Sequence, residues 1–447
     1  MRDRDRERLR YRIQKLRWVC CLFFLLTSAG VMAQNPTPMT WEQLRQRFDQ
    51  NNPMLLADQL NVEESKAQEI TAFLRPNPQL TVASDGTQVT PTPKDPATGA
   101  PNPWQPFVGT YGSGALSYLL ERQHKRELRL ESAQKATQIA VSGHADLRRT
   151  LLFGLRGAFV STLQAKAVLL LAKDNLAYYD HVLDISRIRF KDGDIAQIDL
   201  DRLDLQRVQF ESDLQTAEVN LRTSKIALLT LLNDRTAVEQ FDVSGTFDFS
   251  DQLLPRDEFR KIAMDTRPDL RAAAQSVDKA HTDHELAVAN GSTDPTLSTW
   301  WTHSGSYNFS PGPVTGRNTL GVSVSVPLRI FDRNQGEKLR TQIDITRNER
   351  LRDAAEALVF SDVDSGYATV DSTVLLLRPY KARYLQMSVR VRDTVFYAYQ
   401  HGAASLLEFL QAESDYRIVQ LSYANLVGSY LVAAAQLNLA VGKEVIQ

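Results

Sequence analysis

Cysteine is nearly missing from these 447 residues: Cys20 and Cys21 are the whole complement. Both fall in an apolar run near the N-terminus, so a chain that loses this run holds no disulfide, thiolate metal site or cysteine nucleophile. An excess of charge is missing too. Lys and Arg number 52 against 53 Asp and Glu, a net charge of -1, and nothing global points to nucleic acid or an acidic partner. Past the N-terminal run no stretch approaches the ~20 consecutive apolar residues of a transmembrane helix, so any membrane crossing would have to be β. The chain lacks a Gly-rich phosphate loop, a nucleophile elbow and a His-Glu-x-x-His run. It is read as a non-enzyme without a cofactor. The arginines between Arg122 and Arg129 sit at helical spacing and read as a solvated face. The seven histidines are scattered, at 124, 144, 181, 281, 284, 303 and 401. His281 and His284 have i, i+3 spacing that could ligate a metal, yet helical histidines of this kind are ordinarily surface residues, and no metal site is expected.

What is present begins with an address. Residues 1–17 are dense in arginine, an apolar run follows from Trp18 to Leu26, and small residues close it at Ala29, Gly30 and Ala33. A basic region, a short apolar run and a small-x-small ending make a signal peptide over residues 1–33, cleaved near Ala33. Neither cysteine follows a Leu-small-small sequence, so no lipid anchor is read here.

The remainder repeats itself, which is the first property to settle in a long chain. Asn52-Pro53 and Pro76-Asn77-Pro78 in the first half answer to Arg267-Pro268 and Asp294-Pro295 in the second. More sharply, Phe190-Lys191-Asp192-Gly193 leads to Ile198-Asp199-Leu200 as Tyr399-Gln400-His401-Gly402 leads to Leu407-Glu408-Phe409. Two repeats are expected, 34–233 and 256–447, joined by a linker at 234–255.

Within each repeat the hydrophobic period switches twice. The first is expected to place strands within about 79–120 and long helices at about 122–190 and 195–232. The second places strands within about 295–327 and helices at about 334–400 and 405–442. Leu320, Val322, Val324 and Val326 alternate with Gly321, Ser323 and Ser325, a pattern suited to a barrel wall with its apolar side toward lipid. The edge of a soluble sheet is the alternative. Of the neighbours Trp300 and Trp301, one is expected to pack inward, because adjacent strand residues point to opposite faces. In the helix near 195–232, Leu200, Leu203, Phe210, Leu214, Ala217, Leu221, Leu228 and Leu231 fall on a heptad seam, with Arg207 and Ser224 as exceptions. Phe409, Ala412, Tyr416, Val419, Tyr423, Leu426, Tyr430, Ala433, Leu437 and Ala440 repeat it without exception. Such seams pair helices side by side as coiled coils. If the strands meet lipid, their open edges must close with further copies of the chain.

These residues resemble a known family, the TolC-like outer-membrane factors of tripartite efflux pumps and type I secretion systems. Asn52-Pro53, Pro76-Asn77-Pro78, the two Gly-anchored turns and the string Val326-Pro327-Leu328-Arg329-Ile330-Phe331-Asp332-Arg333-Asn334-Gln335-Gly336 carry the resemblance. The string looks most like the heavy-metal-efflux, CzcC-like branch. The resemblance implies a mainly α fold with a small β part. Two helix–β-hairpin–helix repeats would form a long α-helical tunnel in the periplasm and add four strands to a homotrimeric, 12-stranded barrel in the outer membrane. It implies a passive exit duct working with a periplasmic adaptor and an inner-membrane RND-type pump, metal cations being one candidate cargo. A drug-efflux or type I secretion channel is the alternative, and a soluble periplasmic coiled-coil scaffold a further one. Loops 90–114 and 307–318 would be extracellular tips.

Gly193 and Gly402 suit the left-handed position that ends one helix and turns the chain into the next. The resemblance places such turns at the periplasmic tip, against the adaptor, with Asp192, Asp194, Ser405 and Glu408 beside them. A ring of carboxylates there could attract cations. Capping competes: Ser405-Leu406-Leu407-Glu408 reads as a capping box, and Asp194 could cap the matching helix. Leu320, Val322, Val324 and Val326 are the expected lipid-facing residues.

Overall fold

A computed structural model describes residues 38–86, 89, 94, 97–100, 111–305 and 315–446. The expected signal peptide with both cysteines, Trp104 and most of the loops 90–114 and 307–318 lie outside the described residues.

The element order runs twice. In the first repeat, α1 (Trp41–Asn51) and α2 (Pro53–Phe73) precede β1 (Gln79–Asp85) and β2 (Tyr111–Leu119), then α3 (Lys125–Lys191) and α4 (Gln197–Leu231). In the second, α5 (Arg256–Thr266) and α6 (Pro268–Asn290) precede β3 (Thr296–Ser304) and β4 (Arg317–Ser325), then α7 (Gln335–Pro379), α8 (Leu385–Gln400) and α9 (Leu406–Val441). Helices α2 and α6 each open on proline, whose missing N–H costs nothing in a first helical turn. Asn52 caps α2 by accepting from the Leu55 N–H at 3.1 Å. The matching Arg267 instead ties the start of α6 to other helices, donating to Asp362 (2.8 Å) and to the Ala440 carbonyl (3.2 Å).

Helix α3 continues for 67 residues, as a proline-free stretch permits. Its counterpart in the second repeat is broken. Pro379 removes one ladder donor, and a π turn over Tyr380–Tyr384 carries the chain into α8, with the Leu385 N–H bonded to the Tyr380 carbonyl. The single helix expected over 334–400 is therefore three segments, and the cause is one proline.

All four strands form one antiparallel sheet in the order β1-β2-β3-β4. Its central ladder joins the two repeats, from Tyr111 opposite Ser304 to Leu119 opposite Thr296. Gln79, Leu119, Thr296 and Ser325 mark one end of the sheet, where the chain passes to α2, α3, α6 and α7. The joint is polar and specific: Lys125 donates to Asp294 (2.7 Å) and to the Ser292 carbonyl (3.0 Å). Asn334, at φ 62°, donates to the Ala287 carbonyl at 2.8 Å. The family-like string thus serves in part to fasten a strand to a helix.

The chain divides into two compact units, Met1–Phe48 with Ser161–Thr246, and Asp49–Val160 with Phe247–Gln447. These cut across the repeats, because the units follow packing while the repeats follow chain order. In the first unit Leu44, Phe48, Leu228, Leu232 and Val243 are fully buried. The core of the second gathers Val359, Val363, Val370, Val374 and Leu377 of α7 against Val427, Tyr430, Leu431 and Leu437 of α9. Gly366 faces Leu437 across this contact, where a Cβ would lie 3.4 Å from the Leu437 backbone, an ordinary van der Waals distance.

The segment 234–255 is folded rather than a free linker. Val243 bridges to Met39, and Asp242 takes Lys166 (2.6 Å) and Lys225 (3.2 Å). In the other unit Phe249 packs edge-on to Tyr430, and Asp248 pairs with Lys381 at 2.5 Å. Two helices, α3 and α9, do contain an 18-residue stretch of the length and composition of a membrane span, more apolar than the sequence reading allowed. In α9 a part of the helix is seam and core, with Val427, Tyr430, Ala433, Ala434 and Leu437 buried in protein.

Candidate functional site

Three features are candidates for a functional surface: a two-faced sheet and two separate glycine turns. Registers assign every strand residue to a face, because paired residues point the same way and neighbours alternate. One face holds Leu80 and Val82 of β1, Leu116 and Tyr118 of β2, Leu297 and Trp301 of β3, and Leu320, Val322 and Val324 of β4. The other holds Thr81 and Ala83, Ser113 and Ser117, Ser298 and Thr302, and Thr319, Ser323 and Ser325. The expected lipid-facing residues Leu320, Val322, Val324 and Val326 are all exposed. Trp300 lies on the small-residue face, its indole over Gly321, where a Cβ would come within 2.4 Å of the ring. Trp301 lies on the apolar face, half exposed and stacked on His303. Strands β1 and β4 each keep one unpaired edge.

The first glycine turn follows α3. Gly193 adopts φ 84°, its N–H bonds to the Phe190 carbonyl (3.1 Å), and the Asp194 N–H reaches back to Arg189 (2.8 Å). The second follows α8 in the same geometry, with Gly402 at φ 73°, its N–H to Tyr399 (3.2 Å), and the Ala403 N–H to Ala398 (2.8 Å). Each satisfies orphan carbonyls at a helix end through a left-handed residue that costs glycine nothing. The exits differ. Ser405 and Glu408 form a full capping box: the Ser405 N–H donates to Glu408 at 2.7 Å, and the Glu408 N–H to Ser405 Oγ at 3.2 Å. That backbone N–H, then the hydroxyl, hold the Glu408 carboxyl below its ordinary pKa. At the first turn the cap residue is Ala196, without a side-chain bond, so Asp194 does not cap α4. Asp192, Gly193 and Asp194 are exposed together in one turn, and Gly402, Ser405 and Glu408 in the other.

The seams beneath the turns are packed as their period requires. Leu200, Leu203, Phe210, Ala217 and Leu228 are buried, and Leu214, Leu221 and Leu231 half-buried. The exceptional Arg207 reaches Asp180 at 2.6 Å, and Ser224 donates to the Leu221 carbonyl. Tyr179 stacks on Phe210 with ring centroids 4.4 Å apart. In the other unit Phe409 stacks on Tyr399 (5.6 Å), and Arg392 lies 4.1 Å over Tyr416. One residue here escaped the sequence reading. Glu413, flanking the seam, is 3% exposed with neither carboxylate oxygen hydrogen-bonded, and burial pushes its pKa up to about 7. Its neighbourhood was visible in the pattern, since it directly follows seam residue Ala412. Among the described residues no group of His, Cys, Asp and Glu could hold a metal ion.

Residues 260–443 match the family described as outer membrane efflux protein. That segment, less than half of the chain, is similar to the family. The chain's likeness to known proteins extends beyond the matched segment. It is 23% identical over 346 residues to nodulation protein T of Rhizobium leguminosarum bv. trifolii, covering 74% of this chain and 71% of that protein. It is 22% identical over 347 residues to cobalt-zinc-cadmium resistance protein CzcC of Cupriavidus metallidurans, covering 72% of this chain and 75% of that one. A solved structure of CusC superposes with a TM-score of 0.73 at 18% identity, over 92% of this chain and 93% of that chain. The fold shared in that superposition is mainly helical with a small sheet.

Proposed function

We propose that the chain is one third of a passive exit duct: three copies close a 12-stranded barrel in the outer membrane, continued by an α-helical tunnel in the periplasm. The observation that carries this is the sheet, apolar on one face, small and polar on the other, with open edges at β1 and β4. Lipid tolerates no unpaired edge, and one four-stranded sheet cannot close alone. A soluble sheet would not leave a full apolar face in water. Each glycine turn, one with Asp192 and Asp194 and the other with Ser405 and Glu408, is a surface we assign to a periplasmic adaptor, and the energy comes from an inner-membrane pump. Metal cations are the cargo we infer, from the CzcC likeness and the string 326–336. They pass as substrate.

The reading is tested by Val322→Arg. A charge on the lipid face near the bilayer midplane costs about 2–4 kcal/mol per copy, so the trimer is expected to disappear from the detergent-extracted outer-membrane fraction. Recovery of the unsubstituted protein from a detergent-free periplasmic extract, or an unaltered trimer of Val322→Arg in the outer membrane, would sink the duct. A deletion strain challenged with cobalt, zinc and cadmium against hydrophobic drugs tests the cargo; unchanged metal tolerance overturns metal efflux.

A further inference from the structure

The end of the sheet where α2, α3, α6 and α7 attach carries exposed apolar side chains that no strand explains. Phe73 and Leu74 precede β1, Leu120 follows β2, and Leu328, Ile330 and Phe331 follow β4, with Leu328 79% and Phe331 90% exposed. None of them belongs to the helical core or to the ladder. Size makes them relevant. On the strands the apolar face runs only from Leu320 to Val324 on β4 and from Leu297 to Trp301 on β3. At roughly 3.3 Å per residue that is about 13 Å along a strand. A tilt of roughly 40° reduces it to about 10 Å, against the ~25 Å apolar band of an outer-membrane barrel. The chain beyond the strands supplies more, and in the same alternation, for Val326, Leu328 and Ile330 continue the series of Leu320, Val322 and Val324.

Charge accompanies the apolar rim. Arg75, Arg122 and Arg333 are exposed within a few residues of it, and none makes an ion pair or side-chain hydrogen bond among the described residues. The carboxylates near them are engaged: Glu121 with Arg129, Glu127 with Arg126, Asp294 with Lys125, and Asp332 accepting from the Asn334 N–H. Arg126 lies 4.5 Å over the Phe73 ring. Apolar side chains beside unpaired guanidinium groups match the boundary between acyl chains and phosphates, where long cations reach headgroups and aromatics settle.

We propose that this rim is a lipid-docking collar. Phe73, Leu74, Leu120, Leu328, Ile330 and Phe331 enter the acyl–headgroup boundary of the periplasmic leaflet, and Arg75, Arg122 and Arg333 bind its phospholipid phosphates. The collar rests on the barrel reading above, and its test separates the two. The full chain, carrying Cys20→Ser and Cys21→Ser, is spin-labelled at Phe331→Cys or at Val322→Cys and reconstituted in vesicles of phosphatidylethanolamine with phosphatidylglycerol. Both labels are expected to be relaxed by oxygen and protected from a water-soluble nickel chelate, with Phe331→Cys the shallower. If Val322→Cys reports lipid while Phe331→Cys meets nickel freely, the collar is wrong and the barrel stands. If Phe331→Cys is shielded from both reagents, a second copy covers the rim and the collar is again wrong. A water-exposed Val322→Cys sinks the barrel itself. Independently, Arg75→Gln, Arg122→Gln and Arg333→Gln are each expected to weaken phosphatidylglycerol retention about fivefold in native mass spectrometry. Unchanged retention overturns the phosphate contact.

Discussion

Glu413 shows how one side chain can set a pH dependence close to neutrality. Burial is the largest influence on it, Arg392 and Arg417 oppose burial, and Asp393 adds to it. Its pKa of about 7 in the folded chain exceeds the ordinary 4.5, so the folded state holds this proton more tightly than the unfolded state does. The penalty is therefore absent below the ordinary value, grows as pH rises, and is complete above about 7. It amounts to roughly 3 kcal/mol at most. The melting temperature is expected to fall between pH 5 and pH 8, with a visibly flatter profile in Glu413→Gln. Identical slopes would show that Glu413 finds a partner in the assembled protein. The capping sites give a second test at this scale. Ser405→Ala should cost about 0.5–2 kcal/mol, whereas Ala196→Ser should gain up to a similar amount by supplying the cap that α4 lacks. Hydrogen exchange at the first turns of α9 and α4 reads both.

At the scale of elements, whatever is written in a local period was legible beforehand. The seams of α4 and α9, the alternation in β4 and the two glycine turns each need only a few neighbouring residues, and the structure packs them so. What depends on distant partners was not legible. The capping of α4 by Asp194 failed because Ala196 occupies the cap position, three residues after the glycine. The seam of α9 also widens beyond Ala424, where Val427, Gly428, Leu431 and Ala434 are buried off the heptad positions because α7 joins the packing. Val427, fully buried, is thus the more sensitive site than half-buried Leu426. Val427→Asp is expected to abolish folding, and Leu426→Asp to lower trimer yield. Leu437→Ala, opposite Gly366, should cost about 2–5 kcal/mol, measured by thermal unfolding in detergent. A loss confined to Leu426→Asp would mean that the packed face is misassigned.

For the whole molecule, duplication explains the plan and its exceptions explain the differences. Pro379 divides one long helix and spares the other. One glycine turn is capped and the other is not. The central β2–β3 ladder, which no local pattern announces, makes a single sheet of two hairpins encoded about half a chain apart. That ladder sets an order of events. Pairing Tyr111 with Ser304 closes a loop of nearly two hundred residues, a slow step by loop-closure entropy and contact order. During export the first hairpin emerges well before the strand it must join. It waits with an apolar face and an open edge, so the immature chain has more need of a holding chaperone than the mature channel has of any stabiliser.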